Sequence, residues 1–409
     1  MPFTYRTPGL VITDHELPVP LDHTNPHGPT ITVFAREVAL PEGQNRPYLV
    51  FFQGGPGSEA PRPVTAGQPG WLHRALQDYR VLLLDQRGTG RSTPVGHLPD
   101  RTPDAQAAYL RCFRADSIVR DAECLRQHLG VDAWSVLGQS FGGFCVTTYL
   151  SLAPDALTEA FITGGLPAPG HHPDDVYRAT YARVLDRNRR FYDRYPQDLD
   201  RVRAITARLQ REDLRLPNGD RLTARRFLQL GQVLGMSSGA ERLHYLLDLP
   251  VDSPAFLHDA AATLTFGRNP LYAVLHEACW ADSSVTGWSA ARVQPEAFDT
   301  LELFTGEMVF PWMFDEYAAL QPLQAAAEQL AAQPWGPLYD PARLQANTVP
   351  VAAAIYADDM YVERAFSEAT AGMIRGAQVW LTNEYEHDGL RASGDRVIGR
   401  LIDLVRGRL

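Results

Sequence analysis

The chain has 409 residues, with 38 basic side chains against 48 acidic ones and a net charge of −10. Every one of the 38 is arginine, which excludes chemistry that needs a side-chain primary amine, such as a Schiff base or the lysine of a phosphate-binding loop. The acid excess argues against a nucleic-acid or anionic-membrane partner.

A chain this long accommodates roughly two to three structural units, and its 45% hydrophobic content suffices for a sizeable core. No apolar run approaches the roughly eighteen residues of a membrane span. Met1 to Thr13 contains Arg6 and Pro8 where a signal peptide would need an apolar stretch, so a soluble cytoplasmic protein is expected. Cys112, Cys124, Cys145 and Cys279 show neither C-x-x-C spacing nor a histidine at metal-ligand distance. Reduced, mostly buried thiols and no metal are expected.

In chain order, strands are predicted at Thr30 to Leu40, Tyr48 to Gln53 and Arg80 to Leu84, each apolar and each ending in turn residues. Ile118, Ala122, Leu125 and Leu129 recur at helical spacing after Asp116 and Ser117, either of which can cap a first turn. A strand at Trp134 to Leu137, a helix at Phe141 to Ala153 and a strand at Ala160 to Thr163 follow. This alternation predicts a mostly parallel sheet with helices on both faces. After Pro167 the rhythm breaks, and residues 168–345 are predicted to be mostly helical, with stretches such as Arg178 to Tyr195 and Phe314 to Leu330. It resumes with a strand at Val349 to Tyr356, a helix at Arg364 to Ile374, a strand at Gln378 to Leu381 and a closing helix at Leu390 to Arg406. The expected architecture is an α/β core formed by residues 1–167 and 346–409. A helical cap, residues 168–345, then covers the carboxyl ends of the strands, where such sheets place their ligands.

Gly138-Gln139-Ser140-Phe141-Gly142 is a G-x-S-x-G lying between a predicted strand and a predicted helix. In a nucleophile elbow the glycines remove side chains that would clash in the sharp turn, leaving the serine hydroxyl exposed. Gln53-Gly54-Gly55-Pro56-Gly57 ends the strand before it. Its backbone N–H groups are candidates for an oxyanion hole, with the N–H of Phe141 as the second donor. Asp85-Gln86-Arg87-Gly88-Thr89-Gly90-Arg91-Ser92 superficially resembles a phosphate loop but lacks its lysine and spacing. It is expected to form a buried structural turn, with Arg87 bracing the oxyanion loop. A serine nucleophile needs a base, and the base needs a carboxylate. His387 follows the last predicted strand and is the candidate base, ahead of His171 and His172, which are expected on a solvated loop. Asp358 and Asp359 both end the strand before it, and serine, aspartate, histidine is the chain order of an α/β-hydrolase triad.

Together these motifs resemble the prolyl aminopeptidase (proline iminopeptidase) family of α/β-hydrolases. Gly306-Glu307-Met308, Pro311-Trp312-Met313, Asp359-Met360-Tyr361-Val362 and Asn383-Glu384-Tyr385-x-His387-x-Gly389-Leu390-Arg391 resemble its larger, long-capped branch. Gln53 stands where the family's commoner oxyanion motif begins with histidine. Because the oxyanion donor is backbone, this departure is expected to touch loop packing more than catalysis. The resemblance implies a cofactor-independent serine exopeptidase that releases proline from the amino terminus of peptide substrates. It implies Asp359 as the triad acid with Ser140 and His387, and Gly55 and Phe141 as the oxyanion donors. The family uses cap glutamates to hold the substrate's ammonium group, and Glu277 and Glu307 are the matching candidates. Cys279 is expected to be a packed thiol. The alternatives are an esterase or other acyl hydrolase on the same fold, since fold and triad do not fix the substrate, and an inactive scaffold that binds a ligand or partner.

Overall fold

The computed structural model describes residues 3–409. Its strands are β1 (Phe3–Thr7), β2 (Leu10–Pro20), β3 (Thr30–Ala39), β4 (Tyr48–Phe52), β5 (Arg80–Asp85), β6 (Trp134–Gln139), β7 (Leu157–Thr163), β8 (Val351–Tyr356) and β9 (Gln378–Thr382). They form one sheet in the order β1-β2-β3-β5-β4-β6-β7-β8-β9. From β5 across to β9 every pairing is parallel, while β1, β2 and β3 add an antiparallel extension at one edge. The period-two geometry of a strand sends alternate side chains to opposite faces. In β4, Tyr48, Val50 and Phe52 join one apolar cluster while Leu49 and Phe51 join the other. Both faces of the parallel region are thus covered, which is why its strands read as continuous apolar runs.

Helices Gly70–Asp78 and Arg396–Val405 cover one face. In the latter Val397, Ile398, Leu401 and Ile402 form the buried stripe, each worth roughly 1.5–3 kcal/mol of transfer free energy. The opposite face carries Ala115–His128 and Phe141–Leu152, and its apolar cluster runs on without a break into the helical chain between β7 and β8. That excursion runs from Pro173–Arg194 to Pro341–Gln345. No helix among the described residues is long and apolar enough to cross a membrane.

Three differences from the sequence reading have local causes. The strands expected from sequence begin at Thr30 and include no counterpart of β1 and β2, the second of which carries Pro18 and Pro20. Among the described residues β1 pairs with Leu10 to Asp14 of β2 and not with the stretch that holds Pro18 and Pro20, so a missing N–H on that side costs no ladder bond there. The helix expected over Phe314 to Leu330 is divided into Met313–Glu316, a tight turn at Gln321–Leu323 and Gln324–Ala332. Pro322 lacks a donor and disfavours a helical residue before it. The closing helix is likewise split into Gly389–Ala392 and Arg396–Val405, around Gly394 with φ of 59°.

Candidate active site

Strand β6 ends at Gln139 and helix Phe141–Leu152 begins two residues later. Ser140, between them, has φ 64° and ψ −125°, a conformation that L-residues avoid and that occurs where surrounding structure over-determines it. That determination is steric. A Cβ on Gly142 would lie 2.0 Å from the Phe52 carbonyl oxygen, so the elbow helix packs directly on the end of β4. A Cβ on Gly54 would lie 3.0 Å from the Cβ of Ser140, so the loop after β4 lies against the nucleophile itself. Among the described residues, neither the Gly55 nor the Phe141 N–H is taken by an acceptor. Phe141 opens its helix, where amide donors are free by construction.

Ser140 Oγ stands 2.9 Å from His387 Nε2, and His387 Nδ1 stands 2.6 Å from Asp359 Oδ2. A carboxylate only accepts, so Nδ1 carries the proton and Nε2 is left free to accept from the serine hydroxyl. Asp359 Oδ1 accepts from the N–H groups of Tyr361 at 2.9 Å and Val362 at 3.1 Å, which fixes the carboxylate. Burial alone would depress the His387 pKa. The charge and hydrogen bond of Asp359, with the charge of Glu307, outweigh burial and hold it above 6.5. Asp358 points the other way, to Arg190 Nη1 at 2.9 Å. His171 and His172 are partly exposed at the start of the excursion, where His172 caps helix Pro173–Arg194 by accepting from Asp174 N at 3.1 Å.

The oxyanion loop is held from β5. Gln86 Nε2 donates to the Gln53 carbonyl at 2.8 Å, and Asp85 accepts from Ala60 N at 3.2 Å and from Arg62 at 2.8 and 2.5 Å. Arg87, expected to do this bracing, does not. Its buried guanidinium pairs with Asp121 at 2.5 and 2.6 Å and donates to the carbonyls of Leu21 and Cys112. It therefore ties the β2 end to helix Ala115–His128. The acid and histidine loops are held by helix Pro173–Arg194. Arg183 pairs with Glu363 at 2.7 and 2.8 Å, and Arg187 pairs with Glu386, at 2.7 Å for its Nη1, and donates to the Asp358 carbonyl at 2.6 Å. Residues 183, 187 and 190 lie three to four positions apart, which puts them on one helix face. Sequence reading missed this clamp, although that spacing is its visible signal.

Ser140 and His387 line a cavity of about 1090 Å³, which also has Gly54, Gly55, Tyr272, Tyr361 and Glu307 on its walls. Glu307 Oε2 accepts from the Tyr272 hydroxyl at 3.3 Å, and Oε1 lies 3.4 Å from His276 Nε2. The structure separates the two expected amine-binding glutamates. Glu277 does not line the cavity, because its oxygens accept from Ser289 N at 3.1 Å and Ala290 N at 2.8 Å at the start of a helical turn. It stays in the same electrostatic neighbourhood. Burial, then the charge of Glu277 and later that of Glu307, all push the Tyr177 hydroxyl up. Cys279 is a packed thiol whose Sγ–H donates to the His276 carbonyl at 2.8 Å, and burial pushes its pKa up. Cys145 is buried too, whereas Cys112 and Cys124 are only half-buried.

Residues 47–275 match the alpha/beta hydrolase fold family. The chain is 48% identical to a proline iminopeptidase of Aeromonas sobria over 423 aligned positions, covering 99% of each chain. It is 35% identical to a proline iminopeptidase of Aspergillus aculeatus, covering 100% of this chain and 96% of that one. A solved proline iminopeptidase of Mycobacterium smegmatis matches with a TM-score of 0.47 at 14% identity, covering 96% of this chain and 98% of that one. It is the sequence identity, sustained from one end of the chain to the other on a sheet and elbow of hydrolase build, that decides the assignment: the chain belongs to the proline iminopeptidase family of α/β hydrolases.

Proposed function

We propose that the chain is a serine exopeptidase that removes proline from the amino terminus of peptides, with Ser140, His387 and Asp359 as its triad. The observation that carries this reading is the hydrogen-bonded line from Ser140 through His387 to Asp359, opening into a cavity with a carboxylate, Glu307, on its wall. Near full-length identity to proline iminopeptidases supports it. His387 Nε2 takes the hydroxyl proton as Oγ attacks the prolyl carbonyl carbon, and Asp359 stabilises the imidazolium. The N–H groups of Gly55 and Phe141 receive the oxyanion. His387 returns the proton to the leaving amine, and the C–N bond breaks to leave a prolyl ester on Ser140. Water, deprotonated by His387, then releases proline and restores the hydroxyl.

Glu307 is the primary anchor for the substrate's cyclic ammonium group, while Glu277, whose pKa burial pushes up, is held by the Ser289 and Ala290 amides outside the cavity wall. A carboxylate beside the bound cation in a water-poor pocket favours the charged amine. The four cysteines are free, the state that a cytoplasmic protein keeps. The test compares proline β-naphthylamide with its N-acetyl form and with p-nitrophenyl acetate. Preference for the free amine is expected, together with a loss of about 10³-fold or more in kcat for Ser140→Ala. Indifference to acetylation would make the protein an esterase. Retained activity in Ser140→Ala would remove the triad.

A further inference from the structure

The catalytic cavity is larger than one prolyl residue requires. Its volume of about 1090 Å³ stands at the top of the ~300–1,000 Å³ range usual for small-molecule sites. Its walls include apolar residues from the helical excursion, among them Leu230, Val233, Leu243 and Leu246. Two exposed arginines, Arg242 and Arg391, line the same cavity.

Most arginines of the chain are paired with carboxylates, as Arg87, Arg183, Arg187 and Arg226 illustrate. Arg242 and Arg391 are not: among the described residues neither has an ion-pair partner. Among the described residues the only side-chain hydrogen bond of Arg391 is a long one from Nη2 to Met236 Sδ at 3.9 Å. The two aspartates on the same cavity wall are engaged elsewhere. Asp388 Oδ1 accepts from Ser237 N at 3.0 Å and Oγ at 2.6 Å, and Asp259 Oδ1 lies 3.2 Å from His258 Nδ1.

Arg391 follows His387 by four residues, across the turn that leads into the short helix Gly389–Ala392, and both side chains line the cavity. Its positive charge opposes that of Asp359 at the His387 ring. One residue extends a peptide by roughly 3.3–3.6 Å. A chain end one or two residues past the scissile bond therefore lies roughly 3–7 Å beyond it, and the planar forks of the two guanidiniums on the same cavity wall match a carboxylate.

We propose that Arg391, with Arg242, forms a carboxylate site on the leaving-group side that takes the free C-terminus of short peptides. Pro-Xaa and Pro-Xaa-Xaa with a free terminal carboxylate are then the preferred substrate class. This rests on the proline iminopeptidase reading of the same cavity.

The experiment measures kcat/KM for Pro-Leu and Pro-Leu-NH2, with proline β-naphthylamide as a reference that has no carboxylate. The wild type should favour the acid over the amide by about tenfold. That ratio should fall towards one in R242Q/R391Q, drop below one in R391E, and shrink in 0.5 M salt as the screening length contracts. Reading the ratio within each variant cancels any loss of folded protein. Equal rates for acid and amide in the wild type, or an undiminished ratio in R242Q/R391Q, would overturn the site while leaving the peptidase intact. Failure of the wild type to cleave the naphthylamide and both peptides would overturn the peptidase reading itself, and the site with it.

Discussion

Asp358 and Asp359 are neighbours of identical chemistry with different surroundings. Asp359 is buried and directs one oxygen at His387 and the other at two backbone N–H groups. Asp358 is partly exposed and held below its ordinary range, chiefly by its hydrogen bond to Arg190. Glu277 and Glu307 diverge in the same way, one consumed as an acceptor for backbone amides and one on the cavity wall. Glu307 also acts on the base, because its charge is one of those that raise the His387 pKa above 6.5. Glu307→Gln should therefore move the acid limb of the kcat/KM profile to lower pH, since His387 would shed its proton more readily. KM for free-amine substrates should rise about tenfold to a hundredfold, the equivalent of one charge-assisted hydrogen bond. A pH–rate series on proline β-naphthylamide reads both, and an unmoved acid limb would separate Glu307 from the base. From sequence, Ser140 and His387 stood out because a motif and a strand end mark them. The choice between the two glutamates was invisible, because it depends on which one meets the amides of Ser289 and Ala290.

At the scale of the element, helix Pro173–Arg194 matters most. It begins with proline at its first position and aspartates in its first turn, a start that matches the free amides and dipole there. Its arginines then grip the acid loop and the histidine loop together, so a helix far away in sequence positions both. Arg187→Met removes the hydrogen bonds to Glu386 and to the Asp358 carbonyl without touching the cavity wall. Its kcat should fall about tenfold to a hundredfold, as expected when a catalytic group is misplaced by about 1 Å, while KM for proline β-naphthylamide stays near that of the wild type. Arg187→Lys keeps the charge but loses the bidentate fork, and should recover only part of the rate. If both variants turn over at the wild-type rate, the clamp is structural only.

At the scale of the molecule, the same ion pairs join the helical excursion to the α/β core. Glu363 is buried, which by itself raises its pKa, but its bonds to Arg183 win and hold it below 4.5. Asp358 is likewise held below 3.8 by Arg190. A carboxylate whose folded pKa is depressed contributes stability that is complete above its unfolded value and is lost as pH falls through its folded value. Stability to urea should therefore hold near neutrality and decline below about pH 4.5 as the two groups protonate. In Glu363→Gln and Asp358→Asn this acid-dependent decline should be shallower, and a slope equal to that of the wild type would show that these pairs do not couple the two parts.

What the sequence determined by itself was whatever depends on near neighbours in the chain. The parallel strands carry continuous apolar runs because both their faces are buried, and the elbow is visible because its glycines and serine are consecutive. The lysine-free composition excluded amine chemistry before any fold was known. Local periodicity overran its limit at Pro322, where the helix expected over Phe314 to Leu330 is divided. The tertiary structure alone decided which aspartate faces His387, which glutamate reaches the cavity, that Arg87 ties β2 to a helix and not the oxyanion loop, and that Arg242 and Arg391 are left unpaired. The paired ones turn on partners 12 or more residues away along the chain. A charged side chain takes its role from the partner that folding brings within hydrogen-bond reach, and spacing along the chain does not encode that partner.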